Sequence, residues 1–79
     1  MSRREPTTVQ TFLFDRSIWT AAKARAWLKR NKKHVGPLVE KPNYWHFRQL
    51  PPELFDPKSF RNIHIPGHGG ILATVGHLL

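Results

Sequence analysis

The chain has no cysteine, so no disulfide can staple it and no thiolate zinc site can form. It is also short of acids. Five Asp+Glu stand against thirteen Lys+Arg in 79 residues, giving a formal net charge of +8. Such a balance favours an anionic partner: nucleic acid, an anionic membrane or an acidic protein surface. No apolar run approaches the roughly 20 residues that a membrane span needs. Residues 1–10 are polar and lack the apolar stretch of a secretory signal. A disulfide scaffold, a membrane-spanning chain and a large self-contained enzyme are thereby excluded. What remains is not a simple basic tail. Hydrophobic residues make up 39%, and three Trp, one Tyr and five Phe are more than a disordered segment carries. The length suits one small domain.

Residues 1–8 (MSRREPTT) are expected to form a flexible basic tail, and residues 9–79 a single domain. Residues 9–14 (VQTFLF) read as a buried strand. Thr20 is a good N-cap for a helix running to about Lys33, rich in strong helix formers and free of Gly and Pro. Trp19, just before the cap, is placed to staple onto Ala24. Ala21, Ala24, Trp27 and Leu28 share one helix face. Gly36-Pro37 is expected to end the element. Residues 38–40 start a second strand, Lys41-Pro42-Asn43 a turn and residues 44–50 a third strand. In that strand Trp45 and Phe47 face one way, and Tyr44, His46 and Arg48 the other. Three prolines confine residues 51–57 to a single turn at 52–55. Phe55 and Phe60 are expected at the core edge. Residues 60–65 and 71–78 read as a hairpin around Pro66-Gly67-His68-Gly69-Gly70. The resulting class is α+β: one amphipathic helix packed on a small, mainly antiparallel sheet in the order β-α-β-β-β-β. The order of strands across the sheet is left open.

The strongest functional signal is charge. From Arg16 to Lys33 there are seven Lys/Arg and no acid. Like charges three and four residues apart on a helix repel, and a merely solvated face mixes signs. Arg16, Arg25, Lys29, Arg30, Lys32 and Lys33 are therefore the expected contacts to an anionic partner. Tyr44 and His46, on the strand face opposite Trp45 and Phe47, are candidates to stack single-stranded bases, with Arg48 on the same face as a further contact to the anionic partner.

Other chemistries lack the residues they need. His64 and His68 are four apart but straddle a strand end and a turn, and His77 is remote. No metal site and no cofactor are expected. The glycine-rich residues 66–70 lack the Lys-Ser/Thr of a phosphate loop and precede no helix. Glu5, Asp15, Glu40, Glu53 and Asp56, with Ser17 and Ser59, meet no catalytic template, so a binding protein is expected rather than an enzyme. The helix has the basic and apolar faces of a membrane-surface helix, but the strands need its apolar face, so no membrane partner is expected.

Three segments carry a resemblance. They are Trp19, Thr20, Ala24, Trp27 and Leu28 in a W-T-x3-A-x2-W-L pattern; Asn43, Phe47, Arg48 and Gln49, followed by Phe60 and Arg61; and Gly70, Ile71, Ala73 and Gly76 in G-I-x-A-x2-G. As an ordered set, spread over most of residues 9–78, they resemble a small uncharacterised domain of tailed-phage and prophage proteins. The chain departs from that pattern at residues 37–42, where the relatives are more acidic. The resemblance implies a phage-type accessory protein, located in a host cytoplasm or associated with a virion, and no catalytic residues. The expected function is largely sequence-independent binding of nucleic acid through the basic helix face. The alternative is a virion, assembly or host-inhibitory module that docks on an acidic protein surface. Oligomeric state is left open.

Overall fold

The computed structural model describes residues 7–36, 38–67 and 69–79. Most of the expected tail, together with Pro37 and His68, lies outside the described residues. In chain order the elements are β1 (Thr8–Asp15), α1 (Ala21–Arg30), β2 (Leu38–Glu40), β3 (Tyr44–Arg48), a 3-10 turn at Pro52–Leu54, β4 (Arg61–His64) and β5 (Ile71–Gly76). The strands form one sheet in the order β2-β3-β1-β5-β4, and every neighbouring pair is antiparallel. The α+β plan of one helix on a small antiparallel sheet is therefore the fold.

The central place of β1 follows from its sequence. A strand with neighbours on both edges can bury side chains on both faces, and Gln10 to Phe14 are all buried. Phe12 and Phe14 point to the helix side, with Phe47, Ile71, Ala73 and Val75 beside them. Ala24, Trp27 and Leu28 of α1 close this core from above. The rings meet edge to face: Trp27 lies 5.5 Å from Phe12 and 5.8 Å from Phe14, and Phe14 lies 5.7 Å from Phe47. That geometry is the preferred one for aromatic quadrupoles. Leu13 faces the other way, between His46 and Leu72 across the two ladders, and is still buried. A bulge between Val9 and Thr11 shifts the register with β5 and lets Val9 rejoin the core side. Thr8, assigned to the tail from sequence, pairs with Gly76 and belongs to β1.

Thr20 caps α1 as expected, its hydroxyl oxygen accepting from the Lys23 N–H at 3.1 Å. Trp19 packs edge-on against Phe14 at 5.3 Å, and its Nε1 donates to the Gly69 carbonyl at 2.9 Å. The far end of the helix is a correction. It stops at Arg30, not near Lys33, because Asn31 caps it and Lys32 turns into the left-handed region at φ 57°. Lys33 N–H donates to Leu28 O at 2.8 Å and Lys32 N–H to Lys29 O at 3.1 Å, the paired closure of a Schellman motif. A residue with a Cβ sits in that region at a cost of about 1–2 kcal/mol, which glycine avoids. Glycine's greater freedom in the unfolded chain takes back part of the gain. Lys32→Gly is accordingly expected to stabilise the domain by about 0.5–1 kcal/mol, seen as a higher melting temperature by circular dichroism.

The remaining elements are as read from sequence, with small shifts of boundary. β3 ends at Arg48, two residues early, because Gln49 and Leu50 N–H both turn to the Gln10 carbonyl. Phe55 is buried and packs on Phe60 at 5.5 Å, beneath Gly76, where a Cβ would meet both rings. Gly70, at φ 76°, closes the β4–β5 hairpin in a conformation that strains any side chain, and a Cβ there would crowd Ile18, Asp15 and Trp19.

Candidate nucleic-acid interface

The core stripe of α1 dictates what its outer face presents. With Ala24, Trp27 and Leu28 inward, Lys23, Arg25, Lys29 and Arg30 stand in solvent, and Lys32 and Lys33 continue the cluster through the C-cap. All six are exposed, and none forms an ion pair among the described residues. Ala22 and Ala26 are also exposed.

Arg16 does not belong to this surface. It lies in the β1–α1 loop, where its guanidinium pairs with Glu40 at 3.1 Å and donates to the Lys41 carbonyl at 2.8 Å. It also stacks over the Trp45 ring at 4.2 Å. The charge run in the sequence counted it with the helix. In the fold it ties the loop to the β2–β3 hairpin.

Tyr44, His46 and Arg48 lie on the face of the sheet away from α1, while Trp45 and Phe47 face the helix, the division expected from strand alternation. The candidate residues therefore fall on two opposite sides of a two-layer domain, and one flat contact cannot use both. Phe47 is fully buried; Trp45 is half-buried, its Nε1 donating to the Trp19 carbonyl at 2.9 Å. On the open face, Gln10, Thr11, Val39, Lys41, His46, Arg48 and Pro52 line a shallow cleft of about 250 Å³. Burial holds the His46 imidazole below its ordinary value of 6.5, and the nearby Lys41 ammonium adds to the effect. The unfolded chain therefore takes up this proton at a higher pH than the folded one. Its contribution to stability is present above about pH 6.5 and is lost as pH falls toward the depressed value. An NMR titration should find the His46 midpoint below 6.5 and move it upward in Lys41→Ala.

Three of the acids are occupied elsewhere. Asp15 accepts from both the N–H and the hydroxyl of Ser17, at 2.8 and 2.7 Å, which hold its carboxyl below the usual range. Glu40 pairs with Arg16, and Asp56 accepts from the Lys58 N–H at 3.0 Å. Among the described residues no group of three or more His, Cys, Asp or Glu side chains could hold a metal. His68 lies outside them. No helix of the described residues is long and apolar enough to cross a membrane.

Two features escaped the sequence reading. Gln49 clamps the chain after α1: its Oε1 accepts from the His34 N–H at 2.9 Å and its Nε2 donates to the His34 carbonyl at 2.7 Å. A lone Gln at a strand end gives no signal for such a role. The second is a cleft of about 220 Å³ on one flank of α1, lined by Trp19, Lys23, Ala26, Trp27 and Arg30. Its signal was present in the spacing, since residues 19, 23, 27 and 30 recur every three to four positions. Assigning both tryptophans wholly to packing hid it.

Fold and surface together define a two-layer α+β domain with a cationic helix as its outer layer. Comparison of the chain with protein-family models, with curated proteins and with solved structures returns no match.

Proposed function

We propose that the protein binds nucleic acid through the outer face of α1 and its C-cap, holding phosphates without reading sequence. One observation carries this reading: six exposed cations lie within residues 23–33, with no acid among them and no ion pair among the described residues. Local helix energetics accounts for only part of the pattern. Lys29 and Arg30, in the last turn, suit the negative end of the helix dipole. Lys23 lies at the opposite end, where a cation is disfavoured and no first-turn acid offsets it. Arg25 and Lys29 repel each other at i,i+4 spacing. A polyanion offsets these costs. The ten helical residues span about 15 Å, along which a duplex offers a charge every ~1.7 Å. The resemblance to a tailed-phage domain supports a phage-type accessory role for this binding.

Fluorescence anisotropy with labelled DNA and RNA, single- and double-stranded, tests the reading. Four to six phosphate contacts give a slope of log K against log salt of about −3.6 to −5.4 on duplex. Affinity should then fall about 10²–10³-fold between 50 and 200 mM salt. Absence of binding at the lower salt would overturn the proposal and turn attention to an acidic protein surface.

A further inference from the structure

The cleft on the flank of α1 combines aromatic walls with a cationic rim. Half-buried Trp19 supplies most of the indole surface, Trp27, 7% exposed, closes the cleft toward the core, Lys23 and Arg30 stand beside them, and Ala26 leaves the space between unfilled. We infer that this cleft receives one unstacked base of a single-stranded nucleic acid, with the adjoining phosphates on Lys23 and Arg30. The inference rests on the nucleic-acid reading above and deepens it.

The walls are rigid. Trp19 donates from Nε1 to the Gly69 carbonyl, its own carbonyl accepts from Trp45 Nε1, and its ring abuts Phe14. Trp27 is 7% exposed and is held edge-on by Phe12 and Phe14. A base entering the cleft therefore meets indoles whose conformational entropy is already spent on the core. The cations are exposed and free to adjust to a backbone. Ordered aromatics beside mobile cations are the arrangement by which proteins hold single strands, because every base has a stacking face. Among the described residues no acid lines the cleft, so charge complementarity points to an anionic ligand. At about 220 Å³ it lies below the roughly 300 Å³ at which pockets enclose whole small molecules, which suits one base presented by a longer strand. A duplex keeps its base faces stacked and cannot fill the cleft.

Ala26→Leu is the test. Ala26 is an exposed helical residue, leucine is a good helix former, and the change occupies the cleft while leaving every charge in place. The probe is an oligothymidylate, followed by tryptophan fluorescence and by anisotropy, with a duplex of equal length as control. The wild-type chain should show quenching with the single strand and little with the duplex. Ala26→Leu should lose the quenching and about 5–100-fold of single-strand affinity, with duplex affinity and its salt slope unchanged. Ala26→Gln repeats the test with a polar helix former should the leucine variant melt differently from the wild type. Unchanged quenching and single-strand affinity in the folded variant would overturn the cleft and leave the phosphate-binding helix standing. Absence of binding to either probe at low salt would overturn both. Quenching by an acidic peptide and not by oligothymidylate would assign the cleft to a peptide and overturn the inference.

Discussion

Trp27→Ala is expected to lower the melting temperature of the domain by at least about 12 °C. Trp27 is the largest side chain that α1 contributes to the core, and it bridges Phe12 and Phe14 on the central strand. Truncating a buried aromatic costs about 3–5 kcal/mol, because the lost burial leaves a cavity that neighbours fill only in part. A chain of 79 residues has a stability of about 4–12 kcal/mol. In a domain of this size each kcal/mol moves the melting temperature by about 4–8 °C, so the shift is at least ~12 °C and can exceed 30 °C. The rest of the apolar face of α1 cannot compensate, since Ala24 and Leu28 are already fully buried. Thermal melts by circular dichroism decide the matter. A transition within a few degrees of the wild type would mean that α1 packs on the sheet by another face.

The second large effect concerns binding. Removing three cations together, Arg25→Ala with Lys29→Ala and Arg30→Ala, should make the salt slope on duplex DNA shallower by about three units. At about 0.1 M salt this corresponds to a loss of roughly 10²–10³-fold in affinity. The fold should survive. Alanine is the best helix former, and the Arg25–Lys29 repulsion disappears, while two favourable dipole contacts are lost. The melting temperature should stay within about 1 kcal/mol equivalent of the wild type. Loss of affinity with an unchanged salt slope would show that these side chains do not meet phosphates.

Residues whose partners lie nearby in sequence could be read without coordinates. Thr20 caps a helix whose period places Ala24, Trp27 and Leu28 inward, and the alternation from Tyr44 to Arg48 puts Trp45 and Phe47 on the helix side. That alternation also implied that the two groups of candidate binding residues face opposite ways, since α1 covers only the side of Trp45 and Phe47. The strand order was not legible, because it is set by pairings such as Thr8 with Gly76 that no local pattern encodes. The end of α1 was misplaced because Gly36-Pro37 looked like the stop, whereas Lys32 takes the left-handed turn that glycine ordinarily marks. Arg16 is held away from the helix face for a related reason. A charge run shows sign and spacing, but Glu40 and Trp45 approach it only after the β2–β3 hairpin folds against the loop.

The middle position of β1 has a consequence for the order of assembly. The β2–β3 and β4–β5 pairs are local and can each close in about 1–10 μs. β1 is synthesised before both, yet its edges are satisfied only when β3 and β5 arrive, the latter 57 (71 − 14) to 68 (76 − 8) residues away along the chain. Such distant closure slows folding. On the ribosome the Phe12-Leu13-Phe14 run therefore waits without a sheet, as an aggregation-prone segment. After Asp15 the acid-free cationic stretch emerges, and repulsion between nascent chains would protect the waiting strand as gatekeeper charges do. The same lysines and arginines that would grip a polyanion in the finished domain thus guard its central strand while the domain is being made.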